Sequence, residues 1–229
     1  MHVTDTELRS SVTRTWSAVL FDLDGTLVDS APIILDGLRR MHECMGLPVP
    51  SESELMAWVG PPLFESLKRR AGLSDEDALR ARAMYRELTE GTESALALFP
   101  GMRGVLEGLF AAGVPIALAT SKPESSARTV LEHHGLSELF TVCVGADDSA
   151  HRSSKSAVVA EALLRLAAVG VDIEAPVLVG DRGVDVAGAI EHEVPTILVE
   201  WGYGSPAEAE GALAVVASTD DLRRLLIGG

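Results

Sequence analysis

The run Ser17-Ala18-Val19-Leu20-Phe21 leads straight into Asp22-Leu23-Asp24-Gly25-Thr26-Leu27-Val28-Asp29-Ser30. From Ala18 to Phe21 every side chain is apolar, so the strand they predict is buried on both faces, as in a parallel sheet covered by helices. Further short apolar runs, bounded by Gly, Pro, Asp or Ser, stand at Pro115–Ala119, Thr141–Val144, Pro176–Val179 and Pro195–Val199. Helical periodicity fills the gaps, at Met102–Ala112, Glu124–His134, Ser154–Ala168 and Asp185–His192. Strand and helix alternate from about Pro100 onward, which predicts an α/β fold with a doubly wound (Rossmann-like) parallel sheet. Leu213–Ala217 and Asp220–Leu226 read as an added edge strand and a closing helix.

Ala31 to Leu98 breaks the alternation. Helical periodicity runs through Ile33–Met45, Glu54–Trp58, Leu63–Ala71 and Asp75–Thr89, and no strand is expected there. The pattern predicts an inserted α-helical cap domain, residues 29–98, on an α/β core formed by 1–28 and 99–229. Its hinges are expected at Val28–Ser30 and Ala97–Gly101.

Composition narrows the function. The chain has 229 residues, 47% hydrophobic and 23% charged, an ordinary balance for a globular protein with a large core. Lys+Arg (19) against Asp+Glu (34) gives a net charge of −15, which would repel a phosphate backbone, so nucleic acid is not an expected partner. No run reaches the ~20 apolar residues of a membrane span. Met1 to Thr15 is polar, unlike a signal peptide, and a cytoplasmic protein is expected. Cys44 and Cys143 read as reduced core residues.

In doubly wound sheets, ligands bind beyond the carboxyl ends of the strands, and four groups of polar residues fall there. Asp22 and Asp24 would project oppositely from a regular strand, and Gly25 allows the chain to curl so that both face one site. Such a pair binds Mg²⁺, divides the roles of nucleophile and general acid/base, or simply makes a turn with Asx hydrogen bonds. Thr120 and Ser121, in Ala119-Thr120-Ser121-Lys122-Pro123, offer hydroxyls beside backbone N–H groups at a helix start, either a phosphate site or an N-cap. Lys155, one of only three lysines, opens the next helix and is either a solvated surface charge or a partner for a phosphoryl group and a carboxylate nucleophile. Asp181 and Asp185, in Gly180-Asp181-Arg182-Gly183-Val184-Asp185, add two carboxylates that beside Asp22 and Asp24 would repel one another without a cation. Hard oxygen donors and a phosphate site favour Mg²⁺.

This ordered set resembles the haloacid dehalogenase-like hydrolase superfamily, over essentially the whole chain from Thr15 to Gly204. Asp22-Leu23-Asp24-Gly25-Thr26 looks like its first motif, Thr120 its second, Lys155 its third and Gly180-Asp181…Asp185 its fourth. The helical insertion, Gly60-Pro61-Pro62-Leu63 within it, and Trp201-Gly202-Tyr203-Gly204 are similar to the phosphoglycolate phosphatase-like branch. The resemblance implies a Mg²⁺-dependent phosphatase for a small phosphomonoester, with phosphoglycolate, a sugar phosphate or a nucleoside monophosphate as candidates. Asp22 would attack phosphorus to form an aspartyl-phosphate, while Asp24 protonates the leaving oxygen and then activates water. Asp22, the Asp24 backbone carbonyl, Asp181 and Asp185 would hold the metal. Thr120, Ser121 and Lys155, with Gly25 and Thr26, would bind the phosphoryl group, and Gly60 and Pro61 would face the leaving group. Asp24 speaks against dehalogenation, since the family's dehalogenases lack that acid.

Trp58, Phe64, Lys68 and Arg69 are further candidates for reading the leaving group, although the first two read more simply as packing and the others as solvated charges. His42, His133, His134, His151 and His192 have no metal-like spacing. Three departures from the family pattern stand out: Ser156 after Lys155, Arg182 beside Asp181 with an expected effect on charge near the metal, and Glu193 where a Gly usually ends the helix. The alternatives are a phosphomutase similar to β-phosphoglucomutase and a non-catalytic module of the same fold. A monomer or weak homodimer fits either.

Overall fold

The computed structural model describes residues 16–147, 152 and 154–228. The polar N-terminal stretch and His151 lie outside them. Eight strands and nine helices follow in chain order among these residues. They are β1 (Ala18–Phe21), β2 (Val28–Asp29), α1 (Ala31–Cys44), α2 (Glu52–Met56), α3 (Leu63–Arg70), α4 (Asp75–Thr89), β3 (Ala97–Leu98) and α5 (Met102–Ala111), then β4 (Ile116–Pro123), α6 (Glu124–His133), β5 (Val142–Ala146), α7 (Lys155–Ala168), β6 (Pro176–Gly180), α8 (Gly183–Ile190), β7 (Thr196–Val199), β8 (Ala214–Val216) and α9 (Thr219–Ile227).

Six strands form one parallel sheet in the order β5-β4-β1-β6-β7-β8. Successive side chains of a strand point to opposite faces, and the two faces bury different residues. Val19, Phe21, Ile116, Leu118, Val177 and Val179 join one apolar cluster with residues of α5, α6 and α9. Ala18, Leu20, Ala117, Ala119 and Leu178 join another with α7 and α8. The all-apolar strands are thus a consequence of helices on both sides. The chain winds from β1 outward through β4 to β5, then crosses to β6 on the other flank of β1. In such sheets a ligand crevice forms where the winding reverses, here at the carboxyl end of β1.

The helical segment has an apolar cluster of its own, built from Leu35, Leu38, Met41, Leu55, Trp58 and Leu67 among others. Ser51 caps α2 in a capping box with Glu54, and Ser74 caps α4 by accepting from the Asp77 N–H. The segment is not free of strands as expected. Ala97–Leu98 pairs antiparallel with Val28–Asp29, in the register Val28↔Leu98 and Asp29↔Ala97. Two-residue strands are too short for the alternation that reveals a strand in a sequence.

Two other expectations need correction or refinement. Cys143 is buried, but Cys44 is exposed at the end of α1 and is not a core residue. Glu193 keeps the helix-ending turn by adopting φ 58°, the only positive φ at a non-glycine among the described residues. Its side chain there costs roughly 1–2 kcal/mol relative to a right-handed conformation. Among the described residues no helix is long and apolar enough to cross a membrane.

Candidate active site

The carboxyl end of β1 supplies the first group. The Asp22 N–H continues the ladder to the Val179 carbonyl at 2.9 Å, and then Gly25, at φ 87°, turns the chain back so that its N–H reaches the Val28 carbonyl. A Cβ at Gly25 would lie 2.2 Å from Asp181 Oδ2, so this position needs both the left-handed backbone and the missing side chain. Asp22 is buried.

Lys155, the first residue of α7, reaches under the sheet end. Its ammonium lies 2.7 Å from Asp22 Oδ1 and 2.7 Å from Asp185 Oδ1, and it donates to the Ala119 carbonyl at 2.8 Å. Asp185 Oδ2 accepts the N–H groups of Asp181 (3.2 Å) and Arg182 (3.0 Å), which fixes the entry to α8. Asp181 Oδ2 accepts the Tyr203 N–H at 2.7 Å, while Asp181 Oδ1 is buried without a hydrogen-bond partner. A Cβ on Gly202 would come 2.3 Å from the Asp181 Cβ, so the loop after β7 packs directly on this acid.

Asp22, Asp181 and Asp185 each offer a carboxylate oxygen within 4.8 Å of the others, and all three are buried. Burial pushes the Asp22 carboxyl up to about 6, with Lys155 pulling it down and Asp185 pushing it up. Burial also raises Asp181 well above the usual carboxylate range, and the charges of Asp185 and Asp22 add to the effect. For Lys155, burial disfavours the charge, but Asp185 and Asp22 outweigh it and hold the ammonium above its ordinary range. One cation does not neutralise three carboxylates. The surplus negative charge and the unpartnered Asp181 oxygen, all on hard oxygen donors, suit a divalent ion such as Mg²⁺.

The expected site residues do not all occupy the same layer. Asp22, Asp24, Thr120, Ser121, Gly60 and Pro61 line one cavity, together with Lys122 and Tyr85, which sequence reasoning did not single out for the site. Lys155, Asp181 and Asp185 lie behind Asp22 and outside that lining. Gly25 and Thr26 are also absent from it; the Thr26 side chain is fully buried, with its hydroxyl unpartnered. The Asp24 carboxylate stands apart from the acidic trio, 3.3 Å from Lys122 Nζ. Thr120 pairs with Gly145 just before the β4–β5 register slips, and its Oγ1 accepts the Lys122 N–H.

Arg182 does not sit as a free charge beside the acids. Its Nε donates to Glu208 at 2.9 Å and its Nη1 donates to the Val59 carbonyl, tying the core to the residue before Gly60. Trp58 is buried, lining the cavity while packing edge-on against His42. Phe64, Lys68 and Arg69 are not among the cavity-lining residues; Lys68 is paired with Asp75 at 2.7 Å and lies 5.7 Å over the Phe64 ring. Tyr203, quoted in the run Trp201–Gly204 but given no role there, is a third such residue. Its hydroxyl accepts the N–H groups of Ser30 (2.6 Å) and Ala31 (2.9 Å) and donates to Asp29, so one residue touches both Asp181 and the start of α1.

Comparison with known proteins agrees with this arrangement. Residues 19–199 match the family described as haloacid dehalogenase-like hydrolase. Over 214 residues the chain is 40% identical to a protein of Mycobacterium tuberculosis named tyrosine-protein kinase PtkA, covering 91% of this chain and 72% of that one. It is 36% identical to a plasmid-encoded phosphoglycolate phosphatase of Cupriavidus necator, covering 92% of this chain and 93% of the relative. A solved structure of a predicted phosphatase from Clostridium acetobutylicum superposes with a TM-score of 0.85 at 31% identity, over 92% of this chain and 97% of its own.

Proposed function

The chain belongs to the haloacid dehalogenase-like hydrolase family, and from that premise we propose that it is a Mg²⁺-dependent phosphatase acting on a small phosphomonoester through a phosphoryl group carried on Asp22. The observation that carries the reading is the buried convergence of Asp22, Asp181 and Asp185 around an unpartnered carboxylate oxygen, with Lys155 bridging two of them. Asp181 and Asp185 would hold the ion with Asp22 and the Asp24 carbonyl. When bound, the ion supplies charge neutralisation for a phosphate approaching carboxylates.

The remaining steps fall to the chain's own residues. The Asp22 carboxylate attacks phosphorus as the bond to the leaving oxygen breaks, and Asp24 gives that oxygen a proton. Asp24 then takes a proton from water, which attacks the phosphorus, frees Asp22 and releases inorganic phosphate. The Asp24–Lys122 pair has to open for Asp24 to carry that proton. Thr120, Ser121 and Lys155 hold phosphoryl oxygens, and residues 29–98 act as a cap that excludes water from the first step. A cytoplasmic setting belongs to the same proposal.

The name of the mycobacterial relative raises a kinase reading, in which the group on Asp22 would pass to a phenol instead of water. Release of inorganic phosphate from p-nitrophenyl phosphate, dependent on Mg²⁺, tests the hydrolytic reading. The wild type is expected to turn over and Asp22→Asn to lose at least a thousandfold in rate; equal rates would remove Asp22 as nucleophile.

A further inference from the structure

The cavity in front of Asp22 has two walls of opposite character. Its core wall is ionic, with Asp22, Asp24 and Lys122 beside the hydroxyls of Thr120 and Ser121. The facing wall, from the helical segment, presents the side chains of Ile34, Leu38, Trp58, Pro61, Leu63 and Tyr85. None of them is charged at neutral pH, and their polar atoms are limited to the Tyr85 hydroxyl and the Trp58 indole N–H. Lys122 is the one cation in the lining among the described residues, and Asp24 holds it at 3.3 Å.

This cavity, of about 120 Å³, adjoins a second of about 350 Å³, and the two share Ile34, Tyr85, Lys122 and Pro123. The added lining of the second includes Glu87, Glu90 and Glu93, against Arg86, which is itself engaged. A leaving group extending past Tyr85 therefore meets first apolar carbon and then surplus negative charge. A carboxylate there would lose its water beside three glutamates, with Lys122, shared with Asp24, and the engaged Arg86 as the cations of the described lining, whereas a flat apolar body gains contact area.

We propose that the leaving group this cavity accepts is uncharged and apolar in body, an aryl alcohol or one of similar bulk, and that carboxylate-bearing phosphomonoesters are discriminated against. The inference rests on the phosphatase reading above and narrows its substrate class, since the Cupriavidus relative is named for a carboxylate-bearing phosphoester.

The test compares phenyl phosphate, 4-carboxyphenyl phosphate and phosphoglycolate with the Mg²⁺-loaded protein. The added carboxylate slightly improves the phenolate as a leaving group, so a slower reaction reports exclusion from the cavity. Phenyl phosphate is expected to exceed both others at least tenfold in kcat/KM. Equal or reversed values overturn the inference and leave a phosphatase; no hydrolysis of any of the three removes the phosphatase reading itself. Ile34→Lys, at a half-buried position lining both cavities, is expected to narrow the gap between the two aryl substrates at least threefold. Leu63→Lys serves the same purpose if the first variant fails to fold, and an unchanged gap in a folded variant counts against the proposal.

Discussion

The sheet ends and the helical segment meet across one cavity but solve different physical problems. At the sheet ends, three carboxylates and an ammonium are buried together; backbone groups and side-chain-excluding glycines hold Asp181, Asp185 and Lys155, and Lys155 holds Asp22. The facing wall has apolar side chains from three helices and the Gly60-Pro61 turn, and no charge. Groups that handle a dianion must be placed to within tenths of an ångström, so their surroundings tolerate little change. A wall that accepts a leaving group needs shape and polarity, which many side chains can provide. On the proposed function, the contrast places reaction type and substrate choice in separate parts of this chain.

The largest effect that would break the contrast is on the sheet side. Asp24→Asn is expected to slow turnover by about 10²- to 10⁴-fold, the usual scale of general acid–base catalysis. With an activated aryl phosphate it should leave a labelled, acid-stable protein that loses its phosphate slowly, measurable by intact mass. Unimpaired turnover would show that the acid/base function lies elsewhere.

Next comes the linkage between metal and pH. Asp22 is raised from 3.8 to about 6 without an ion, and Asp181 is raised too. The metal-free fold therefore holds protons that the unfolded chain has released, so this contribution to stability is present below about pH 4 and is lost as pH rises through about 6. A bound cation reverses the penalty, because it needs those acids deprotonated. Saturating Mg²⁺ at a hundred times its Kd corresponds to about 2.7 kcal/mol, or a Tm rise of roughly 5 °C or more at this size. Differential scanning calorimetry should find that rise at pH 7.5 and a smaller one at pH 5. A rise that is independent of pH would mean the ion binds away from these acids.

The smallest effect sharpens the boundary between the two sides. Tyr203→Phe removes a hydroxyl that accepts the first N–H groups of α1, yet keeps the backbone N–H that holds Asp181. It should lower stability by about 1–2 kcal/mol, the scale of a lost buried partner, with Mg²⁺ affinity unchanged by titration calorimetry. A matching loss of metal affinity would show that the two sides are not separable.

The sheet side was the more legible in sequence, for a physical reason. Asp22, Thr120 and Asp181 sit at the ends of apolar runs, so strand periodicity alone brings them to one edge, and Lys155 opens the helix that follows β5. The extent of α4, Asp75–Thr89, could likewise be read from a Ser cap and a helical repeat. What stayed hidden depends on contacts with no local signature. Lys122 meets Asp24 across 98 positions of chain, and Tyr85 in α4 looks like any helix core residue until the fold turns it toward the cavity. Cys44 misled because an apolar neighbourhood in sequence does not say which face of α1 a residue occupies. Gly202 gave only a faint family echo, since its purpose is the absence of a Cβ against Asp181.

The two-residue ribbon of Val28–Asp29 and Ala97–Leu98 has an evolutionary consequence. The chain enters and leaves the helical segment at neighbouring positions, about one strand spacing apart. To the ribbon, everything between is a hairpin loop whose length changes closure entropy only logarithmically. Lineages could therefore exchange, shorten or enlarge that stretch while the acids at the strand ends stayed in register, acquiring new diets without reinventing the chemistry.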